Sequence, residues 1–503
     1  MHLRSVSRVV ASLVTVIGLF IATSAAVGAL MGDPVRTTLG ILGCAACTVL
    51  LGLGGVVMVR GPLTLGLREG FGIVTFGWIA VSLFGALPLW LVEGLHWHDA
   101  FFETMSGFST TGASILDAGL PLRNGESLAV GIADISSAAL FWRSMTHWLG
   151  GMGIVVLSVA ILPSLGIGSH QLYHAEVPGP TSDRLTPRIA DSAKILWAVY
   201  VLLSVVETVL LRAGGMPLFD AWCHTCGTLA TGGFSTQQGS IGAYQSAYFD
   251  AVITVFMFLA GTNFILHFRA LRGKPLSHFH DEEFRVYLLL CAVGIGTVTL
   301  SLLGTDIVSS SGTVHPNAGL ATAFRFASFQ VVSILTTTGF VTADFNVWPA
   351  YCALLLVVLM FIGGCGGSTG GGMKNARVVL LVKYATSQVE RCVFPHSVSN
   401  IRLNGRRVDS VILHKTLSFF FLFVALFVVF GLALCALGTG DLVTAASASI
   451  ASLGNIGPGL GDVGATSTYA WLPAPAKCLL TFVMLLGRLE LYTVLVLLLP
   501  SSY

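Results

Sequence analysis

The chain of 503 residues is 54% hydrophobic and only 10% charged, with a mean hydropathy of +0.84. A water-soluble fold of that composition could not cover its own core, which excludes a soluble enzyme or a nucleic-acid-binding domain and makes lipid the natural solvent. The net charge is only +2, and it hides a marked sidedness.

The first apolar run, Val9 to Met31, follows Arg4 and Arg8 in the manner of a signal peptide. It is long and lacks a clear small-residue cleavage site before the second run, Thr37 to Val59, so it reads as a retained helix. Gly32-Asp33-Pro34 joins the two. These runs, with Ile195 to Leu211 and Leu417 to Leu437, approach or exceed the roughly 20 residues needed to cross a bilayer core. Arg4, Arg8, Arg60, Arg68, Arg184, Arg188, Lys194, Arg269, Arg272, Lys274, Arg391, Arg402, Arg406, Arg407 and Lys415 fall in alternate connections between apolar runs. Those connections, and both termini with them, are cytoplasmic by the positive-inside rule. The opposite connections carry Asp33, Glu93, Asp99, Asp117, Glu126, Asp220, Asp306, Asp344, Asp441 and Asp462, with few basic residues among them, so the outer mouth should attract cations mildly.

After residue 67 one pattern repeats: a long apolar helix (M1), a shorter semi-polar segment ending in a Thr/Gly cluster (P), and a second apolar helix (M2). The N-terminal pair occupies residues 1–67, and the copies occupy 68–165, 190–272, 283–390 and 411–503. The segments before the clusters, Asp99 to Ser109, Asp220 to Ala230, Phe326 to Thr336 and Thr444 to Leu453, are too short to span and read as re-entrant. The expected fold is an all-α membrane protein, two N-terminal helices plus four M1-P-M2 repeats around one pseudo-fourfold pore. Register can be counted: Ala100, Ala221, Ala327 and Ala445 each stand 12 residues before Gly112, Gly233, Gly339 and Gly457. A rival register sets Asp99, Asp220 and Asp441 13 residues before Gly112, Gly233 and Gly454, but it fails at Phe326. Gly457 is preferred, with Gly454 as the alternative.

A dehydrated potassium ion needs a ring of oxygens in place of its water, and inward-turned backbone carbonyls supply one. Glycine permits the positive-φ turns such a ring needs, and threonines just before it, such as Thr111 and Thr338, add hydroxyl oxygens. Thr/Gly clusters also occur where membrane helices simply pack closely; four in one frame favour the pore.

The run Gly363 to Gly372 interrupts the third M2 with seven glycines around Cys365, Ser368 and Thr369. A phosphate-cradling loop is the alternative, but Asn375 follows Lys374 and no strand precedes the run, so the P-loop pattern is not met. A helix broken at membrane depth beside a pore reads as a mobile barrier lining it. Arg488, among Leu485, Leu486, Gly487 and Leu489, cannot face lipid unpaired without a cost of several kcal/mol. It either pairs with nearby Glu490 or stands as a positive barrier under the loops. Arg143 and His147 admit the same two readings, and there the structural one is favoured. Cys44 with Cys47 and Cys223 with Cys226 have C-x-x-C spacing, but the soluble βαβ context of a redox site is absent, so they read as small packed residues.

Four strings carry a family resemblance: Phe141-Trp-Arg-Ser-Met-Thr-His-Trp-Leu-Gly-Gly-Met-Gly153, Gly363-Gly-Cys-Gly-Gly-Ser-Thr-Gly-Gly-Gly-Met-Lys374, Asn455-Ile-Gly-Pro-Gly459 and Leu486-Gly-Arg-Leu-Glu490. Over residues from about 1 to 500 the chain resembles the Trk-type potassium uptake membrane subunit of the Trk/Ktr/HKT superfamily. The resemblance implies that Gly112, Gly233, Gly339 and Gly457 are the filter glycines. The potassium-binding set then includes Thr110 and Thr111, Thr231 and Gly232, Thr337 and Thr338, and Asn455 and Ile456. In the plant branch of the family, serine at the first filter position tends to accompany sodium passage, so glycine in all four places favours potassium. Phe234 and Phe340 follow two of the glycines as in the family, while Ala113 and Pro458 depart from its aromatic or apolar pattern. The resemblance also implies an intramembrane gating loop of Gly363, Gly364, Gly366, Gly367, Ser368, Thr369, Gly370, Gly371, Gly372 and Lys374, with Arg488 beneath the filter. It further implies a homodimer in the bacterial cytoplasmic membrane, seated on a cytosolic ring of nucleotide-binding (TrkA-like) regulatory subunits.

The chain's own cytoplasmic connections, the largest being Gly166 to Arg188 and Gln388 to Lys415, are too short for a regulatory domain. Arg391, Arg402, Arg406 and Arg407 offer a docking surface, although positive-inside topology explains them equally well. Apart from the potassium ion no cofactor is expected, and no H-E-x-x-H, nucleophile elbow or cluster of catalytic acids suggests an enzyme. The rival functions are a proton- or sodium-coupled symporter and a less selective K/Na transporter. A coupled carrier usually shows an intramembrane acid, and among the M2 helices only Glu490 qualifies.

Overall fold

The computed structural model describes residues 2–59, 66–153, 189–395 and 400–498. Arg60, the expected end of the first repeat at residues 163–165, the connection Gly166 to Arg188 and the chain end after residue 498 lie outside the described residues.

Helices α1 (Leu3–Met31) and α2 (Val35–Met58) fold back on each other through Gly32, whose left-handed φ of 85° closes α1, and Pro34, which opens α2. Asp33 in that turn accepts the Ser137 and Ala138 amides at 3.1 and 2.8 Å, capping the start of α5 (Ser137–Gly151). A Cβ on Gly28 would lie 2.6 Å from that of Ala138. The missing side chain thus lets the N-terminal pair lie flush on the first repeat.

The first repeat comprises α3 (Leu67–Gly85), the short α4 (Trp97–Phe108) and α5. The second comprises α6 (Ile189–Ala213), α7 (Leu218–Leu229), α8 (Ala247–Ala260) and α9 (Phe264–Leu271). The third follows with α10 (Glu282–Leu302), α11 (Leu320–Leu335), α12 (Ala350–Ile362) and α13 (Asn375–Val393). The fourth has α14 (Ser410–Ala436), α15 (Leu442–Leu453), α16 (Ala474–Arg488) and α17 (Tyr492–Leu498). Among the described residues six helices are long and apolar enough to cross a bilayer: α1, α2, Arg68–Val92, Ala193–Ala213, α10 and α14. Their outer faces are apolar and bare, Leu50 on α2 and Phe421 on α14 being 69% and 72% exposed, as lipid contact requires. The short helices α4, α7, α11 and α15 are instead buried along most of their length.

The sequence exposes a break only in the third M2. All four M2 helices end early within the described residues. Helix α5 ends at Gly151, before Gly153 at φ 66°. Helix α8 yields at Gly261 and α9 leaves at 101°. Helix α12 stops at Gly363, with φ 80°, and α16 at Arg488, with Glu490 and Leu491 both at φ 54°. The segments before the breaks are 15, 14, 13 and 15 residues long. At about 1.5 Å per residue each reaches only some two-thirds of a bilayer core of about 30 Å. The all-helical expectation also gains two antiparallel ribbons, β1 (Ile307–Val308) with β2 (Val314–His315) and β3 (Arg402–Leu403) with β4 (Arg406–Arg407).

The first and fourth repeats meet along a seam. Lys477 pairs with Asp99 at 2.6 Å in the interior, Thr468 donates to Asp117 at 2.8 Å, and the Tyr469 amide donates to the Ser114 carbonyl at 2.9 Å.

Candidate functional site

Each short helix ends in the same way. The residues Ser109, Ala230, Thr336 and Gly454 are still right-handed. Thr110, Thr231, Thr337 and Asn455 follow at φ 54°, 54°, 60° and 53°, and Gly112, Gly233, Gly339 and Gly457 come two residues later at φ 80°, 79°, 77° and 100°. The amides of Thr111, Gly232, Thr338 and Ile456 reach back to the carbonyls of Ser106, Gly227, Ser333 and Ala451 at 2.8 to 2.9 Å. This is a Schellman termination repeated four times. In backbone conformation Gly457, not Gly454, matches the other three glycines.

The loops abut in a closed ring. A Cβ built on Gly112 would strike the Gly232 carbonyl oxygen, one on Gly233 the Thr338 oxygen, and one on Gly339 the Ile456 oxygen. On Gly457 it would lie 2.7 Å from the Thr111 oxygen. Each glycine therefore faces the carbonyl just before the next loop's glycine, and the order runs one, two, three, four and back to one. Fixed backbone cannot yield to such a clash, so any side chain at these positions displaces a ring carbonyl.

A β-branched residue with positive φ is an outlier that costs of order 1–3 kcal/mol, and three of the four left-handed positions are threonine. Their hydroxyls are tied to the segment below. Thr231 donates to the Thr369 hydroxyl at 3.3 Å, Thr337 accepts the Gly371 amide at 2.6 Å, and Thr110 accepts from Arg488 at 3.1 Å. Thr111 and Thr338 engage Ser109 and Thr336 at 2.7 and 2.8 Å. Asn455 holds Thr111 and the Met484 carbonyl, both at 2.9 Å.

The glycine run crosses directly beneath this ring. The Gly372 amide donates to the Gly454 carbonyl at 2.9 Å, the Cys365 amide to Gly261 at 2.9 Å, and the Thr369 hydroxyl to Leu229 at 2.9 Å. One carboxylate, Glu283 at the start of α10, ties the run to the helix that follows it, accepting the amides of Gly366 within the run (2.6 Å) and Ala376 at the start of α13 (2.9 Å). Lys374 folds its ammonium onto the Gly370 carbonyl. Arg488 does not pair with Glu490, which is held by Arg377. Its guanidinium bridges the Thr369 carbonyl (3.0 Å), Thr110, and the Gly150 and Gly151 carbonyls at 2.5 and 3.2 Å. One half-buried cation thus joins the broken ends of the first and fourth M2 helices to the glycine run.

Comparison with known proteins places this architecture. The family model for TrkH, described as a cation transport protein, matches residues 47–502. The chain belongs to the TrkH family. It is 40% identical to the Trk system potassium uptake protein TrkH of Salmonella typhimurium over 510 residues, covering 100% of both chains. To the Escherichia coli K12 protein of that name it is 41% identical over 440 residues, 87% of this chain and 86% of the other. The crystal structure of the potassium transporter TrkH from Vibrio parahaemolyticus superposes with a TM-score of 0.85 at 35% identity, over all of both chains.

The remaining singled-out residues of this TrkH-family chain buttress the ring. Arg143 is buried against Glu103 at 2.6 Å, donates to the Ser235 carbonyl at 2.8 Å, and lies 3.6 Å over the Phe234 ring. His147 stacks on the same ring at 4.0 Å and fills the space a side chain on Gly232 would need. The cysteines of both C-x-x-C pairs are free thiols. Two acids escaped sequence reasoning. Glu283 looks like an ordinary helix-start acid, and Glu207 lies in an M1 helix, α6, rather than an M2. Glu207 is fully buried, neither carboxyl oxygen meets a hydrogen-bond partner among the described residues, and the Thr228 hydroxyl nearby is committed to the His224 carbonyl.

Proposed function

We propose that this chain carries potassium into the cell through the ring formed by its four re-entrant loops. The observation that carries the reading is the closed circuit of left-handed glycines facing the carbonyls of Thr111, Gly232, Thr338 and Ile456. Such a circuit offers a partly dehydrated cation backbone oxygens from four sides, with no side chain in the way. The relatives' names as potassium uptake proteins support the choice of ion. The glycine run, held under the ring by bonds to the second, third and fourth repeats and tied to the first through Arg488, is the gate in its closed position. The protein sits in the bacterial cytoplasmic membrane with both termini inside, as a homodimer on a cytosolic nucleotide-binding subunit that shifts the gate by binding its open and closed states unequally.

The deciding experiment is flux into liposomes containing the purified chain, with potassium, rubidium, sodium and lithium compared. Potassium and rubidium should enter well ahead of sodium and lithium. Equal rates for all four ions would overturn the filter.

Glu207 favours one second reading, proton-coupled uptake, because an unpaired carboxyl inside a span is the kind of group that moves protons in carriers. Reversal potentials measured at several pH values separate the two. A potential that follows the proton gradient, and stops doing so in Glu207→Gln, would establish coupling; one set by potassium alone leaves a channel.

A further inference from the structure

On the face that the positive-inside rule assigns to the cytosol, a cavity of about 830 Å³ opens between the turn after α9, the β3–β4 hairpin, α13 and the first turn of α14. Its floor is apolar. Leu380 and Leu403, 1% and 8% exposed, belong to a small hydrophobic cluster separate from the main core, and Ile412 packs on it. Its rim is cationic: Arg269, Lys274, Arg406 and Arg407 line it against a single acid, Asp281. That carboxylate is already occupied by the Phe284 amide at 2.9 Å and the Asn404 side-chain amide at 2.8 Å. Among the described residues Lys274, Arg406 and Arg407 have no ion-pair partner.

The hairpin holds these charges in place. Asn404 and Gly405, at φ 50° and 76°, make its two-residue turn, and the Asn404 side-chain carbonyl accepts the Glu282 amide at 2.7 Å. The register sets Arg402 directly opposite Arg407, a like-charge pair that destabilises a ribbon unless an anion relieves it. The cavity also lies at the edge of the apolar layer, because α14 begins its span at Ser410 and Leu276 on the rim is 64% exposed.

We propose that this cavity binds the headgroup of an anionic phospholipid. The phosphodiester is held by Lys274, Arg406 and Arg407, and the glycerol and first methylenes lie on Leu403 and Ile412. A basic pocket between spans on the cytoplasmic side suits such a headgroup, and the apolar floor would be wasted on a fully soluble anion. The proposal rests on the membrane orientation given above and is independent of which cation passes the ring.

The test uses the full-length chain in zwitterionic detergent, titrated with phosphatidylglycerol or phosphatidylcholine and followed by thermal unfolding and native mass spectrometry. Phosphatidylglycerol alone should raise the melting temperature and remain bound. The double variant Arg406→Ala/Arg407→Ala should retain one lipid fewer per chain and bind roughly tenfold or more weakly. Lys274→Ala, outside the hairpin, tests the same site without touching the ribbon and should weaken binding in the same direction. Equal retention by wild type and variants would overturn the proposal. So would displacement of the lipid by millimolar inorganic phosphate or ATP, which would mark a soluble-anion site. Ion flux measured on the same samples keeps the two ideas apart, since lost selectivity with unchanged lipid retention would count only against the filter.

Discussion

At the residue scale, the ring shows why glycine and threonine alternate as they do. A Cβ at Gly339 would fall on the Ile456 carbonyl oxygen, so Gly339→Ala should displace that oxygen and cut potassium flux at least tenfold. Gly112→Ser should relax discrimination against sodium; permeability ratios of reconstituted protein check both, and unchanged ratios would remove the filter assignment. The left-handed threonines predict a different pairing of effects. Thr337→Gly relieves a strained φ of 60°, but it leaves the Gly371 amide without its acceptor, a loss of about 1–3 kcal/mol that offsets the relief. Leak should therefore rise while the melting temperature stays level or falls. The four glycines were legible in the sequence because the 12-residue interval to alanine repeats. The threonines' downward role was not legible, since a hydroxyl beside a filter glycine gives no sign of which side of the loop it faces.

At the scale of elements, the short helices could be read from their length and polarity, and the N-terminal pair from hydropathy. Three of the four M2 breaks could not. Gly153 closes the described part of the first M2, and Thr262-Asn263 and Glu490-Leu491 turn the backbone within two or three residues, too briefly to disturb an apolar run, whereas the third break is long and glycine-rich. The pinning of that long run by Glu283 was equally hidden, because the bonds join residues 83 and 93 apart. Deleting part of Gly363 to Gly372, or making Arg488→Ala, should raise potassium flux if the run obstructs the path. Glu283→Ala removes the acceptor of two amides and should do the same with a loss of about 1–3 kcal/mol in stability. Flux that falls in all three folded variants would move the gate elsewhere.

At the scale of the whole molecule, the seam between the first and fourth repeats decides when the protein becomes whole. Asp99 waits for Lys477 across a separation of 378 residues, and Thr110 waits for Arg488 across the same separation. A ribosome adding about 5–20 residues per second needs roughly 20–80 seconds to make that stretch. Throughout that interval the first repeat holds a carboxylate destined for the protein interior with only the neighbouring His98, at 3.4 Å, beside it and its lysine not yet made, which is costly. A chain stopped after Ala436 should therefore insert yet be cleared much faster than the full chain in a pulse-chase experiment. Asp99→Asn, which lowers the cost of waiting, should lengthen the fragment's lifetime. Closing its ring with the last helices it makes gives the protein a proofreading step: an incomplete copy carries an exposed defect that quality control can read before it can leak ions.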